Sequence, residues 1–254
     1  MKLVIADTET MKDLIEIVSN ILTEANLRVS KDRIEIMGID PSNVLKVEMT
    51  MESGMFIEYD VKKDQVIGLN LNNIKTILKN FGKDAILSIE AKDDKAATIQ
   101  ISAVEDYEAS VTLPVIDDIK DERKPINLNP DIEFWMRTKD FSKAVDIIGI
   151  VSESIIFESS KENRGKSVSI KGKGDLSKAD IHGFVDMKVN PLNKNTKDIR
   201  SKYSTDFLTK ITKANKLKDM VKLEIGTDYP LRVTYSAADK YEIAFILAPR
   251  VDND

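Results

Sequence analysis

The chain has 254 residues, 42% of them hydrophobic and 32% charged, with a net charge of −5, one histidine and no cysteine. This length suggests one large domain or two of ordinary size. The composition describes a globular protein, excludes disulfide and thiolate chemistry, and argues against an ordinary basic nucleic-acid binder. No stretch approaches the ~20 apolar residues of a membrane span. The start, Met1 to Asp7, turns acidic too quickly for a signal peptide and reads as a first strand. These features point to an intracellular, cytoplasmic protein.

The clearest helix is predicted over residues 8–25. Met11, Leu14, Ile15, Val18, Ile21 and Leu22 form one apolar stripe, with Thr8 or Thr10 as cap. Strands are predicted at Leu27–Val29, Arg33–Met37, Val44–Met51 and Met55–Tyr59. A second helix runs from about Asn72 to Phe81 and ends at Gly82. Further strands follow at Ala85–Ala91, Ala97–Ala103 and Tyr107–Leu113. Residues 114–130 hold three prolines and show neither period, so they read as a connector between domains 1–113 and 131–254.

The order then repeats. Strand Ile132–Arg137 leads into helix Asp140–Val151, with Phe141, Ala144, Val145 and Ile148 on one face. Strands are expected at Ile155–Ser159, Ser167–Gly172, Ala179–Phe184 and Asp186–Val189, and a fourth helix from about Ser204 to Leu217. The last strands are Val221–Ile225, Leu231–Ser236 and Tyr241–Leu247. Met11 matches Phe141 at an offset of 130, and Asp84 matches Asp219 at 135. The chain thus reads as an α+β duplication, each half carrying two helices on antiparallel strands. Two helices cover only one face of each sheet, and the strand edges need a partner or a block.

The second helix of each half is basic. Lys75, Lys79 and Lys83 recur every fourth residue in the first, and Lys210, Lys213, Lys216 and Lys218 mark the second. Without these seven lysines the net charge of −5 falls by seven, to −12. One lysine stripe is ordinarily a solvated helix face. Two at equivalent places on an acidic chain point to phosphate contact without base readout, since no aromatic residues interleave for stacking. The first helices mix charges: Lys12 sits among Glu9, Asp13 and Glu16, and Lys143 among Asp140 and Asp146.

At the chain end, Pro249 removes a ladder donor, leaving Leu247-Ala248-Pro249-Arg250 as a free arm: either a surface for partner peptides or a frayed terminus. Catalytic candidates fail. His182 has no second histidine or cysteine for a metal or catalytic dyad and reads as a polar edge-strand residue. Asp93-Asp94 and Asp117-Asp118 are loop neighbours without an acid partner. Lys171-Gly172-Lys173-Gly174 lacks the phosphate-loop order and reads as a hairpin turn. Trp135 and Met136 read as core residues. No enzyme, cofactor or metal is expected.

Five stretches, in order and on this duplicated frame, carry a resemblance. They are Ile39-Asp40-Pro41-Ser42-Asn43-Val44, Ile67-Gly68-Leu69-Asn70-Leu71 with Ile77-Leu78-Lys79, Asp106-Tyr107-Glu108, Thr227-Asp228-Tyr229-Pro230-Leu231, and Leu247-Ala248-Pro249-Arg250. Over essentially its full length the chain resembles the sliding clamps of the proliferating cell nuclear antigen family, and its short acidic tail looks archaeal. The resemblance implies a DNA-clamp fold whose ring, a homotrimer, encircles duplex DNA and tethers DNA polymerase. Clamp loader, flap endonuclease and ligase would dock through short peptides. It assigns DNA-facing positions to Lys12, Lys75, Lys79, Lys83, Lys143, Lys210, Lys213 and Lys216. It assigns a peptide groove to Ile39, Asn43, Val44, Pro230, Ile246, Leu247, Ala248, Pro249 and Arg250, and subunit edges to Tyr107, Ala109, Val111, Ala179 and Ile181. Asp13, Ser19 and Asp146 stand where the family often has basic residues, Lys46 at a usually apolar groove position, and Ile246 in place of a common aromatic. The alternative is a clamp-fold scaffold in a heteromeric or checkpoint-type ring, which would not need paired lysine stripes.

Overall fold

The computed structural model describes residues 1–91, 98–117, 119, 126, 128–160, 167–192 and 198–250. The Asp93-Asp94 pair, Asp118, part of the connector and the acidic tail 251–254 lie outside the described residues. The strands are β1 (Lys2–Ile5), β2 (Glu24–Val29), β3 (Arg33–Ile39), β4 (Leu45–Glu52), β5 (Glu58–Asp60), β6 (Gln65–Asn70), β7 (Ile86–Glu90), β8 (Thr98–Val104), β9 (Glu108–Pro114), β10 (Ile132–Arg137), β11 (Ser154–Ser159), β12 (Ser169–Lys173), β13 (Lys178–Ile181), β14 (Lys188–Pro191), β15 (Ile199–Ser204), β16 (Met220–Ile225), β17 (Leu231–Ala237) and β18 (Tyr241–Leu247). The helices are α1 (Thr8–Ser19), α2 (Leu71–Lys79), α3 (Thr138–Gly149) and α4 (Thr205–Thr212).

Contacts divide the chain into two units. Unit 1 comprises Met1–Pro41, Val47–Arg123 and Ser236–Ile243; unit 2 comprises Ser42–Lys46, Lys124–Tyr235 and Ala244–Asp254. In unit 1, β5-β1-β7-β8-β9 form an antiparallel sheet, and β2 pairs with β3 and β6. Helices α1 and α2 bury Met11, Leu14, Ile15, Val18, Ile74 and Leu78 against Leu3, Leu27, Leu69 and Ile101. In unit 2, β13-β12-β11-β15 form a four-stranded sheet in which β12, β11 and β15 answer to β3, β2 and β6, and β10 pairs with β14 and β16 as β1 does with β5 and β7. Beneath α3 and α4 its core holds Phe134, Phe157 and Tyr203, with the last two rings edge to face at 5.8 Å.

The duplication has a signature that periodicity does not show. The buried Thr8 hydroxyl at the head of α1 donates to the Ala85 carbonyl at 2.5 Å. At the head of α3, Thr138 donates likewise to the Asp219 carbonyl at 3.2 Å. Both helices have 12 residues, at an offset of 130. The second correspondence is therefore Ala85 with Asp219, at 134, and not Asp84 at 135.

Several expectations are corrected. Helix α1 stops at Ser19 and is capped by Asp7, whose carboxylate accepts from the Thr10 amide, so Thr8 and Thr10 are not its caps. Ile21 and Leu22 still bury their side chains, but the chain enters β2 at Glu24. Met55 belongs to a short 3-10 turn, leaving only Glu58–Asp60 as a strand. Strands β6 and β15 were not anticipated. Asn80 caps α2, so Gly82 and Lys83 lie in the turn beyond the helix. The fourth helix is α-helical only to Thr212 and tightens into a 3-10 turn over Lys213–Leu217. Lys171 to Lys173 belong to β12, and the turn begins at Gly174. Met136 is buried, but Trp135 points to the other face, where the Lys222 ammonium stands 5.6 Å from its ring centre.

Gly68 places the connector. On the open edge of β6, the Ile116 amide donates to the Gly68 carbonyl at 2.8 Å, and Asn26 donates from its side chain to the Ile119 carbonyl at 3.1 Å. A Cβ on Gly68 would stand 2.1 Å from the Ile116 carbonyl oxygen. Only a residue without a side chain lets the connector lie this close and cover the edge.

Candidate DNA-facing surface, peptide groove and strand edges

Three of the candidate lysines of unit 1, Lys12, Lys75 and Lys79, have partners. The Lys12 ammonium donates to the carbonyls of Phe81 and, at 3.2 Å, Gly82, closing the C-terminal end of α2. Lys75 is half-buried between the Asn20 side-chain oxygen at 3.4 Å and the Glu16 carboxylate at 4.0 Å. Lys79 is exposed and stands 3.7 Å from the same carboxylate. Lys83 is exposed beyond the helix. In unit 2, Lys143, Lys210, Lys213 and Lys216 are all exposed. Lys210 lies 4.8 Å over the Phe207 ring, and neither it nor Lys213 makes an ion pair among the described residues. Sequence reasoning put the contact mainly on Lys75, Lys79, Lys210 and Lys213, with Lys12 and Lys143 in support, and so treated the second helices of the two units alike. It missed Glu16, which α1 brings to α2 from the other side of a packing contact.

The groove residues of unit 2 are tied down, which corrects the expectation of a free arm. The Ala248 amide donates to the Val44 carbonyl at 3.0 Å, and the Arg250 amide to the Lys202 carbonyl at 2.6 Å. The Arg250 guanidinium donates to the Ser154 hydroxyl at 2.8 Å. Ile246 and Leu247 are buried, while Ala248 and Pro249 remain half-exposed. Asn43 sits in the left-handed region at φ 58°, which its short amide tolerates. Pro230 follows a braced turn: the buried Tyr203 hydroxyl donates to the Tyr229 carbonyl at 2.6 Å, and Ser201 accepts from the Tyr229 amide at 3.2 Å. Burial pushes the Tyr203 phenol well above its ordinary range, so it stays a donor. Lys46, read as a groove-lining departure, is only 3% exposed. Ile39 is half-buried in unit 1.

Each unit ends a sheet on an open strand. β9 pairs with β8 alone, and β13 with β12 alone. Ala109, Val111, Ala179 and Ile181 are half-buried along these edges. Tyr107, in the bend before β9, is 57% exposed, beside exposed Val104 and Ile86. Near β13, Ile150 and Leu176 are exposed as well. The signal for Ile150 was its place just past α3, off that helix's buried stripe. Across the unit 2 sheet runs a charge ladder: Arg200 to Glu158 at 3.3 Å, Glu158 to Lys171 at 2.8 Å, Lys171 to Asp180 at 3.6 Å and Asp180 to His182 at 3.6 Å. The Glu158 hydrogen bond raises the Lys171 ammonium above its ordinary value. His182 is exposed just beyond β13. The described residues contain no cluster of three metal-ligating side chains, and no helix is long and apolar enough to cross a membrane.

This architecture is shared with known proteins. Among crystal structures, proliferating cellular nuclear antigen from Entamoeba histolytica superposes with a TM-score of 0.88 at 20% identity, covering 98% of each chain. That of Thermococcus kodakaraensis gives 0.86 at 22% identity, covering 98% of this chain and 99% of the other. Relatives named DNA polymerase sliding clamp include those of Thermococcus gammatolerans, 25% identical over 94% of both chains, and Methanococcoides burtonii, 27% identical over 98% of both. The N-terminal domain of the proliferating cell nuclear antigen family matches residues 1–121 and its C-terminal domain residues 127–250. The chain therefore belongs to the proliferating cell nuclear antigen family, the DNA polymerase sliding clamps, which are processivity factors and not enzymes.

Proposed function

We propose that three copies of this chain close into a ring around duplex DNA, with β9 of one copy pairing with β13 of the next. The observation that carries this reading is that two of the edge strands, β9 in unit 1 and β13 in unit 2, have large exposed apolar side chains near them. Two different edges on one chain make a head-to-tail contact, which closes into a ring when the rotation allows. Each unit presents its helices to the phosphates, and Lys79, Lys83, Lys143, Lys210, Lys213 and Lys216 supply weak, salt-screened attraction that permits sliding. Lys12 and Lys75 support the same face indirectly, by holding α1 and α2 together. The domains fall at 1–113 and 131–254, joined by the connector 114–130.

Partner peptides dock on unit 2 beside Asn43, Val44, Pro230 and Ile246–Arg250. The partners are DNA polymerase, the clamp loader, flap endonuclease and ligase, and the protein works inside the cell. The braced turn at Tyr229 and the anchored Arg250 support a preformed groove, which lowers the ordering cost of binding a short peptide. The test is the mass in solution by light scattering across concentrations. A species of three times the 28.6 kDa chain is expected. A monomer throughout would overturn the homotrimer and point to a ring that needs other chains.

A further inference from the structure

We propose that Glu16 sets how strongly this clamp holds DNA, acting as an internal counter-ion that leaves unit 2 as the main phosphate contact. The inference rests on the DNA-encircling reading above and assigns its strength to one residue. The two halves provide their own comparison. Under the offsets of 130 and 134 fixed by the threonine hydrogen bonds, Glu16 corresponds to Asp146 and Lys79 to Lys213. In unit 1 the Glu16 carboxylate stands 3.7 Å from Lys79 and 4.0 Å from Lys75. In unit 2 the aspartate, one methylene shorter, reaches neither Lys210 nor Lys213, and both ammonium groups stay open to solvent.

A lysine already beside a carboxylate adds little positive potential at a phosphate a Debye length away, about 8–10 Å at moderate salt. DNA affinity falls with salt in proportion to the phosphates neutralised, at about 0.9 in logarithmic slope for each. Removing the Glu16 charge should therefore increase both affinity and slope. The Glu16 side chain is 36% exposed, so its replacement by an amide of the same shape leaves the packing of α1 and α2 in place.

The experiment measures binding of the intact protein to a short fluorescein-labelled duplex, by anisotropy, over a series of potassium chloride concentrations. The variants are Glu16→Gln, Asp146→Asn, Lys79→Ala, Lys213→Ala and Glu16→Gln with Lys79→Ala. The expected result is a severalfold tighter complex for Glu16→Gln, with a slope steeper by up to about 0.9 per subunit and a smaller change for Asp146→Asn. Lys213→Ala should weaken binding more than Lys79→Ala, and Lys79→Ala should become as costly once Glu16 is neutral. If Lys213→Ala weakens binding while Glu16→Gln changes nothing, the counter-ion role falls and the DNA-facing reading stands. If Asp146→Asn matches Glu16→Gln, general charge and not this pairing is responsible, and the proposal falls. If no variant moves the curve, the DNA-facing reading falls with it.

Discussion

Gly68→Ala tests whether the connector is held by close backbone approach. The added methyl would meet the Ile116 carbonyl oxygen at 2.1 Å, its carbonyl carbon at 3.1 Å and the Ile119 side chain at 2.9 Å. Ordinary carbon contacts lie near 3.5 Å, so the connector must retreat by roughly 1 Å or more. The Ile116–Gly68 hydrogen bond, now 2.8 Å, would open to roughly 3.8 Å, beyond a bond. The Asn26 bond to Ile119 would loosen with it. Two exchangeable bonds lost to solvent are worth about 1–2 kcal/mol. The gain of about 0.5–1 kcal/mol from replacing a strand glycine offsets part of this in global stability. The loss is therefore local. Amide hydrogen exchange at Ile116 should quicken by roughly 5–30-fold, with little change in melting temperature. Unchanged protection at Ile116 in the folded variant would refute the argument.

Tyr107→Ala should weaken self-association by on the order of 2–4 kcal/mol, seen by sedimentation equilibrium; an unchanged association constant removes Tyr107 from the contact. Thr8→Val should cost about 1–3 kcal/mol in chemical denaturation, because the buried Ala85 carbonyl loses this donor, and Thr138→Val should cost less, because the Asp219 carbonyl still accepts from the Thr138 amide at 2.9 Å; a neutral Thr8→Val would show that its bond does not matter to the helix start. Glu133 tests pH linkage. The Lys222 hydrogen bond holds its carboxyl below the ordinary value of 4.5, although burial pushes the other way. A depressed folded pKa means that this contribution is complete above the ordinary value and is lost as pH falls through the folded one. Glu133→Gln should therefore lower stability at neutral pH by at most about 1 kcal/mol, and the difference should vanish in strong acid. A gap that persists at low pH would show that packing, not charge, is responsible.

Helices α1 and α3 were legible because a run of consecutive residues carries their period. Met11, Leu14, Ile15 and Val18, like Phe141, Ala144, Val145 and Ile148, are all buried. The order of elements was legible too, and with it the duplication and the family. Strands β6 and β15 were not, because neither keeps a clean alternation: Gln65–Asn70 buries three successive residues, and Ile199–Ser204 ends on two. The helix ends were settled by Asp7 and Asn80, through contacts that periodicity does not register.

The candidate site divides in the same way. The lysine stripes are local, and consecutive residues display them. Where each ammonium goes is not local: Lys12 ends on a carbonyl 69 positions away and Lys75 beside a side chain 55 positions away. The anchoring of Arg250 on Ser154 spans 96, and nothing in the last residues forecasts it. Sequence alone determined the amphipathic helices, the repeated order and the two basic helices. Tertiary structure decided which lysines stand beside a carboxylate, which strands end the sheets and that Ala248 and Arg250 are anchored. These depend on groups distant in the chain meeting within a few ångströms, and hydrogen bonds and charges act only at that range.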